Sequence, residues 1–149
     1  REWSEARELD WYMLQNPLNR GMHDFVGELL KTYRKYPCLY EIDNDWLGFE
    51  WMNADDKDRS IYSFVRRTRD GRQHMLFVLN MTPVEYPNYK VGVPMNTKYK
   101  LLINSDEERY GGAGHRVPKE IKARKGKCDN RNQYVVIPLP PLTGVVYLF

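Results

Sequence analysis

Groups that carry metal, redox or nucleophilic chemistry are scarce in this chain. Its 149 residues include three histidines and two cysteines. His23, His74 and His115 never reach metal-ligand spacing, so each reads as a surface or packing residue. Cys38 and Cys128 fit no metal or redox pattern. Two reduced thiols in a cytoplasmic protein are expected, with a disulfide between them as the alternative. A nucleophile elbow, a phosphate loop and a Cys/His pair are all missing. No apolar run approaches bilayer length and no signal pattern opens the chain, so a soluble protein is expected. The net charge of +3 is too small to argue for nucleic acid or a membrane. The chain opens at Arg1, without an initiator Met, and reads as a piece of a longer polypeptide.

Aromatic residues are plentiful: 4 Trp, 11 Tyr and 5 Phe. They concentrate in Trp46–Met81. There Phe49–Met52, Ser60–Arg66 and His74–Leu79 are separated by the polar clusters Asn53–Arg59 and Asp70-Gly71. Asp-Gly supplies the positive φ of a tight hairpin. In the middle run Ile61, Ser63 and Val65 alternate with Tyr62, Phe64 and Arg66, a period of two that makes it a strand. The segment reads as an antiparallel meander.

Before it, Ser4 is a candidate N-cap for a short helix that Asn16-Pro17 would stop. Met22–Tyr36 is the clear helix. Met22, Phe25, Val26, Leu29, Leu30, Tyr33 and Tyr36 form one stripe that must either dock on the sheet or close a preceding domain; the second is expected. The exposed apolar stripe also predicts self-association. After the meander, Tyr86–Val93, Tyr99–Asn104, Tyr134–Ile137 and Gly144–Phe149 read as strands. Gly111–Gly114 reads as a flexible turn, and Pro138, Pro140 and Pro141 force a loop or an edge. Short strands at this spacing indicate a sandwich.

Arg116–Arg131 carries seven cationic against two anionic residues, and without interleaved aromatics it reads as a solvated basic loop. Asp55, Asp56 and Asp58 lack the ligand ladder of a calcium loop and read as a solvated hairpin tip. Asn80-Met81-Thr82 matches a glycosylation sequon, with little weight beside Pro83. No catalytic residue, metal site or cofactor is assigned.

Several stretches, taken in order, resemble the C-terminal end of the 1,4-α-glucan (glycogen) branching enzymes of the α-amylase superfamily. They are Arg1-Glu2-Trp3 with Leu9-Asp10-Trp11, the helix around Leu29, Leu30 and Tyr33-Arg34, Gly48-Phe49-Glu50-Trp51, Asp55-Asp56, Ser60 and Phe64-Val65-Arg66-Arg67. Asn80-Met81-Thr82-Pro83, Asn104-Ser105-Asp106 and Leu139-Pro140-Pro141-Leu142 continue the series. The resemblance covers essentially the whole chain. It implies residues 1–41 as the tail of a (β/α)8 barrel and residues 42–149 as a mainly β, antiparallel C-terminal sandwich. The parent reaction moves an α-1,4-glucan chain to a 6-hydroxyl through a carboxylate pair. A barrel takes roughly 250 residues, so that pair would lie upstream and this piece would be inactive, its partners the missing barrel and an α-glucan. Carbohydrate contacts are expected at Trp3, at the rim of the barrel, and at Trp46 and Tyr110 in the sandwich; Trp51 is expected in the core. The alternatives are the tail of another amylase-superfamily enzyme, such as a debranching enzyme, and a free-standing carbohydrate- or protein-binding sandwich.

Overall fold

The computed structural model describes residues 5–149. Ser4 and Trp3 therefore lie outside the described residues. Residues 5–10 form turns and irregular chain rather than the expected helix, and Trp11–Gln15 is a single 3-10 stretch. Helix α1 spans Pro17–Lys35, starting five residues before the expected Met22. Asn16-Pro17 begins this helix instead of ending another. The Asn16 side chain accepts the Leu18 N–H at 2.9 Å, and Pro17 sits at the first helical position, where its missing N–H costs nothing. Tyr36 is forced into an extended conformation by Pro37, and α1 stops there.

Nine antiparallel strands follow. They are β1 Phe49–Asp56, β2 Ile61–Arg67, β3 His74–Asn80, β4 Tyr86–Gly92, β5 Lys98–Asn104, β6 Glu120–Lys122, β7 Arg124–Cys128, β8 Arg131–Leu139 and β9 Gly144–Leu148. Six form one sheet in the order β1-β2-β3-β9-β5-β6, and three form another in the order β4-β8-β7. The expected meander is β1-β2-β3, with β2 in full register on β3. Gly71 takes the positive φ of 66° at the β2–β3 turn, where Asp70 accepts the Thr68 hydroxyl and the Arg72 N–H.

The two inner faces enclose the core. Ile61, Val65, Leu76, Val78 and Tyr147 of the larger sheet meet Tyr89, Val91, Val135 and Ile137 of the smaller. Burying each aliphatic side chain contributes about 2 kcal/mol, which makes this layer the main source of stability. A second cluster lies on the outer face of the six-stranded sheet. There Cys38, Met75, Ile103 and Val146 are buried beneath Phe25 of α1 and the connector residues Tyr36 and Leu39. The helix thus docks on the sheet by one edge. Met22, Val26, Leu29, Leu30 and Tyr33 of its stripe stay exposed.

Arg116–Arg131 is not a loop. It contributes β6 to one sheet and β7 to the other, and the chain crosses between them at the buried Ala123. Lys122, Arg124, Lys125 and Lys127 lie on these two edge strands, where cations discourage pairing with another chain; Arg116 and Lys119 precede β6, and Arg131 opens the central β8. Pro138 falls inside β8, beside the irregularity between β4 and β8 and beyond the last residue paired to β7, so no ladder bond is lost there. Asn80 is buried: its amide donates to the carbonyls of Val84 at 2.8 Å and Pro140 at 2.7 Å, which makes the sequon a structural node.

Candidate functional surface

Trp46 is placed by a short 3-10 turn, Trp46–Gly48, which Asp45 caps by accepting the Leu47 N–H at 2.9 Å. Gly48 backs onto the Ile42 carbonyl so closely that a Cβ there would lie 2.1 Å from the oxygen. The turn is thereby pinned against the body of the protein, and the indole of Trp46 projects from it, 80% exposed.

Trp51 points out of the sandwich, not into the core as expected. The next residue, Met52, takes the inward position. The Trp51 ring stands nearly perpendicular to Phe49 and Phe64, with centroids 5.0 and 5.6 Å away, and remains 49% exposed. Phe64 stacks on Phe77 of the next strand at 4.7 Å with only 7° between the planes. An aromatic row therefore crosses three strands on the outside of the sheet.

Tyr110 ends a 3-10 turn, Glu108–Tyr110, and Gly111 follows with a φ of 88°. The glycine-rich segment is organised rather than loose. Asp106 accepts the backbone N–H groups of Ala113 at 3.0 Å and His115 at 2.8 Å, and its carboxylate also meets the His115 ring at 2.8 Å. Burial pushes the Asp106 carboxyl up, but these bonds together outweigh it and hold the group below the ordinary range. The Tyr110 ring lies against Phe25 of α1 at 5.0 Å and under the Arg109 guanidinium at 4.4 Å. Its hydroxyl is enclosed without a hydrogen-bond partner among the described residues, and burial pushes it up. It borders a recess of about 370 Å³ lined by His23, Asp24, Glu28, Lys31 and Arg109. Trp46, on the sheet-capping turn, and Tyr110, beneath α1, belong to separate surfaces.

The other reactive side chains are built into the fold. Both cysteines are free; burial pushes each thiol up to about 11, away from the thiolate form. His74 stacks on Phe149, and burial lowers its pKa. Among the described residues no three His, Cys, Asp or Glu side chains gather in a metal-holding group. The acidic cluster is only partly a solvated tip. Asp56 has a side chain 7% exposed, paired with Arg59 at 2.7 Å and bonded to the Tyr89 hydroxyl.

Two charged nodes escaped the sequence reading. Glu50 lies between Arg67 and Arg131, joining the sheets. Arg66 donates to the carbonyls of Cys38, Leu39 and Ile42 and to the Asp43 carboxylate. The signal for Arg66 is its position: it shares a strand face with Tyr62 and Phe64, where a lone cation needs a local partner.

Comparison with known proteins gives one family match and a set of close relatives. The model of the alpha amylase C-terminal all-beta domain matches residues 51–149. The chain is 58% identical over all 149 residues to a 1,4-alpha-glucan branching enzyme GlgB of Butyrivibrio fibrisolvens, of which it covers 23%. It is 39% identical over 140 residues, 94% of its length, to the enzyme of that name from Geobacillus stearothermophilus, covering 22% of it. It is 35% identical over 147 residues, 98% of its length, to 1,4-alpha-glucan branching enzyme GlgB 1 of Clostridium perfringens strain 13, again covering 22%. The chain thus spans less than a quarter of the length of these relatives, and the match falls in their C-terminal part.

Proposed function

Since this chain belongs to the family of the alpha amylase C-terminal all-beta domain, we propose that it is the C-terminal part of a glycogen branching enzyme. The parent chain transfers an α-1,4-glucan segment to a 6-hydroxyl and so makes α-1,6 branches. The carboxylate nucleophile and acid of that retaining chemistry lie upstream. Residues 1–41 close the catalytic barrel, and residues 42–149 form a non-catalytic sandwich that braces it. The observation that carries this reading is the 58% identity over the whole chain to a protein of that name. The two free cysteines favour a reducing, cytoplasmic setting.

A glucan contact on this part is the second element of the reading. Sugar rings offer apolar C–H faces to flat aromatic side chains, and Trp46 has an uncovered indole. Tyr110 has less free surface, because Phe25 and Arg109 occupy its ring. Trp3 is assigned to the barrel rim from the resemblance alone.

The full parent polypeptide, assayed on amylose, tests the activity: branching lowers the iodine colour and creates α-1,6 linkages. Hydrolysis without new linkages would replace branching with another reaction of the superfamily. Native-gel mobility in glycogen tests the contact. Retardation that Trp46→Ala weakens supports a glucan-holding role at that turn, whereas unchanged retardation removes Trp46 from the site.

A further inference from the structure

Three sides of α1 face three different surroundings. The helix turns by about 100° per residue, which sorts its side chains. Phe25 and the buried Gly21 and Thr32 turn toward the sandwich and the Glu108–Tyr110 turn. Met22, Val26, Leu29, Leu30 and Tyr33 form the exposed apolar stripe. His23, Asp24, Gly27, Glu28 and Lys31 are centred roughly 150° round the helix from that stripe. A barrel seated on the stripe therefore leaves this polar side open to solvent.

The polar side and the Glu108–Tyr110 turn border the recess of about 370 Å³. Small-molecule sites span roughly 300–1,000 Å³, so the recess is large enough for one. Gly27 leaves its floor bare, since a Cβ there would meet nothing within 4 Å. The ion pairs at the recess are His23–Asp24 at 3.1 Å and Arg109–Glu107 at 2.7 Å, and neither reaches Glu28 or Lys31. Glu28 is half-buried, and its carboxylate has no hydrogen-bond or ion-pair partner among the described residues. Lys31, three residues on and on the same side, has no carboxylate partner among them either. The Tyr110 hydroxyl beneath is enclosed and equally unpartnered. Partly buried polar groups without partners are costly, and a ligand that bonds to them relieves that cost.

The charges decide which ligand fits. Asp24 and Glu28 set two carboxylates against the cations Lys31 and Arg109, so a phosphate or a lone cation meets its own sign. A sugar hydroxyl both donates and accepts, and so matches carboxylate and ammonium together. The Tyr110 ring, taken up by Phe25 and Arg109, offers no free face for stacking. We propose that the recess is a polar glucan subsite, where Glu28 accepts from and Lys31 donates to the hydroxyls of one glucosyl unit. Tyr110 is its wall, not a platform. This rests on the reading that the parent chain acts on an α-glucan.

Acetylation of lysines in the full-length parent, read residue by residue by mass spectrometry with and without maltohexaose, tests the subsite. At high millimolar sugar Lys31 is expected to react about fivefold more slowly, since only the unoccupied fraction is open. Lys57 and Lys90, exposed on other elements, are expected to keep their rates. Glu28→Gln keeps the shape and loses the charge, and is expected to raise the sugar concentration needed for protection about tenfold. Gly27→Gln places a side chain on the bare floor and is expected to abolish protection without loss of thermal stability. An unchanged Lys31 rate overturns the proposal. So does protection that survives Gly27→Gln or is indifferent to Glu28→Gln. Equal protection by inorganic phosphate makes the recess an anion site and overturns it too. The branching assay on the same sample keeps the two readings apart. A parent that makes α-1,6 linkages with Lys31 unprotected loses only the subsite. One that protects Lys31 without making linkages loses only the assigned reaction.

Discussion

Tyr89 on β4 donates its hydroxyl to the Asp56 carboxylate at the end of β1, 2.7 Å away, and so ties the smaller sheet to the larger. The Arg59 guanidinium completes the node. It pairs with Asp56 and lies 4.9 Å from the centre of the Tyr89 ring. Burial pushes the Asp56 carboxyl up, but the bonds from Arg59 and Tyr89 together outweigh it and hold the group below its ordinary value of 3.8. A depressed carboxylate stabilises the fold fully above that value, and the contribution fades as pH falls through the lower folded value. Tyr89→Phe is expected to cost about 1.5–3 kcal/mol at pH 7, the range for a bond to a charged group, and less in acid well below 3.8. Urea unfolding at both pH values measures it; an equal loss at both would make the tyrosine a packing residue alone.

Arg66 organises the connector between α1 and the sheet. Its guanidinium collects three carbonyls and the Asp43 carboxylate, with distances from 3.0 to 3.3 Å. A lysine has a single point of donation and cannot match the planar fork. Arg66→Lys is therefore expected to destabilise by about 1–3 kcal/mol, the cost of leaving enclosed acceptors unmet. Faster amide exchange confined to residues 37–43 would locate the effect; unchanged exchange there would contradict it.

Ser63 lies at an inward position of β2 between Ile61 and Val65, fully buried, and its hydroxyl has no partner among the described residues. Removing an unsatisfied buried group recovers its desolvation cost. Ser63→Ala is expected to leave stability unchanged or raise it by up to about 1 kcal/mol. A clear drop in the denaturation midpoint would mean that the hydroxyl is bonded, for instance to a water.

These cases show what the sequence reveals and what it conceals. The period of two in Ile61–Arg66 gave the strand and its inward face, and Asp70-Gly71 gave the turn, because both depend on neighbours along the chain. The outward position of Trp51 was not legible. An aromatic residue in a strand is equally at home on either face, and the choice that turns Met52 inward depends on packing against the smaller sheet, distant in sequence. The same holds for Arg116–Arg131, where four of the cations that suggested a loop, Lys122, Arg124, Lys125 and Lys127, stand on two edge strands. Asn16-Pro17 has two local readings, helix stop and helix start, and the residues after it decide between them. Of the proposed carbohydrate contacts, the exposure of Trp46 follows from the Asp45 cap. The enclosure of Tyr110 depends on α1 docking some 85 residues earlier in the sequence, which no local pattern encodes.

Two glycines in α1 separate helix propensity from tertiary contact. At Gly27 a Cβ would meet nothing within 4 Å, so Gly27→Ala is expected to stabilise by about 0.5–1 kcal/mol through lower unfolded-chain entropy and better helix propensity. At Gly21 a Cβ would lie 2.8 Å from the Tyr110 carbonyl carbon, a backbone atom that cannot rotate away. Gly21→Ala gains the same propensity and must also push the Glu108–Tyr110 turn off the helix, loosening the Phe25–Tyr110 contact. Its net effect is expected to be a loss of about 1–3 kcal/mol, as for overpacking in a close-packed contact. Thermal unfolding of the two variants decides the matter. Opposite shifts in midpoint mean that α1 is held by its contact with Tyr110, whereas a gain from both means that the helix is free to move away from the turn.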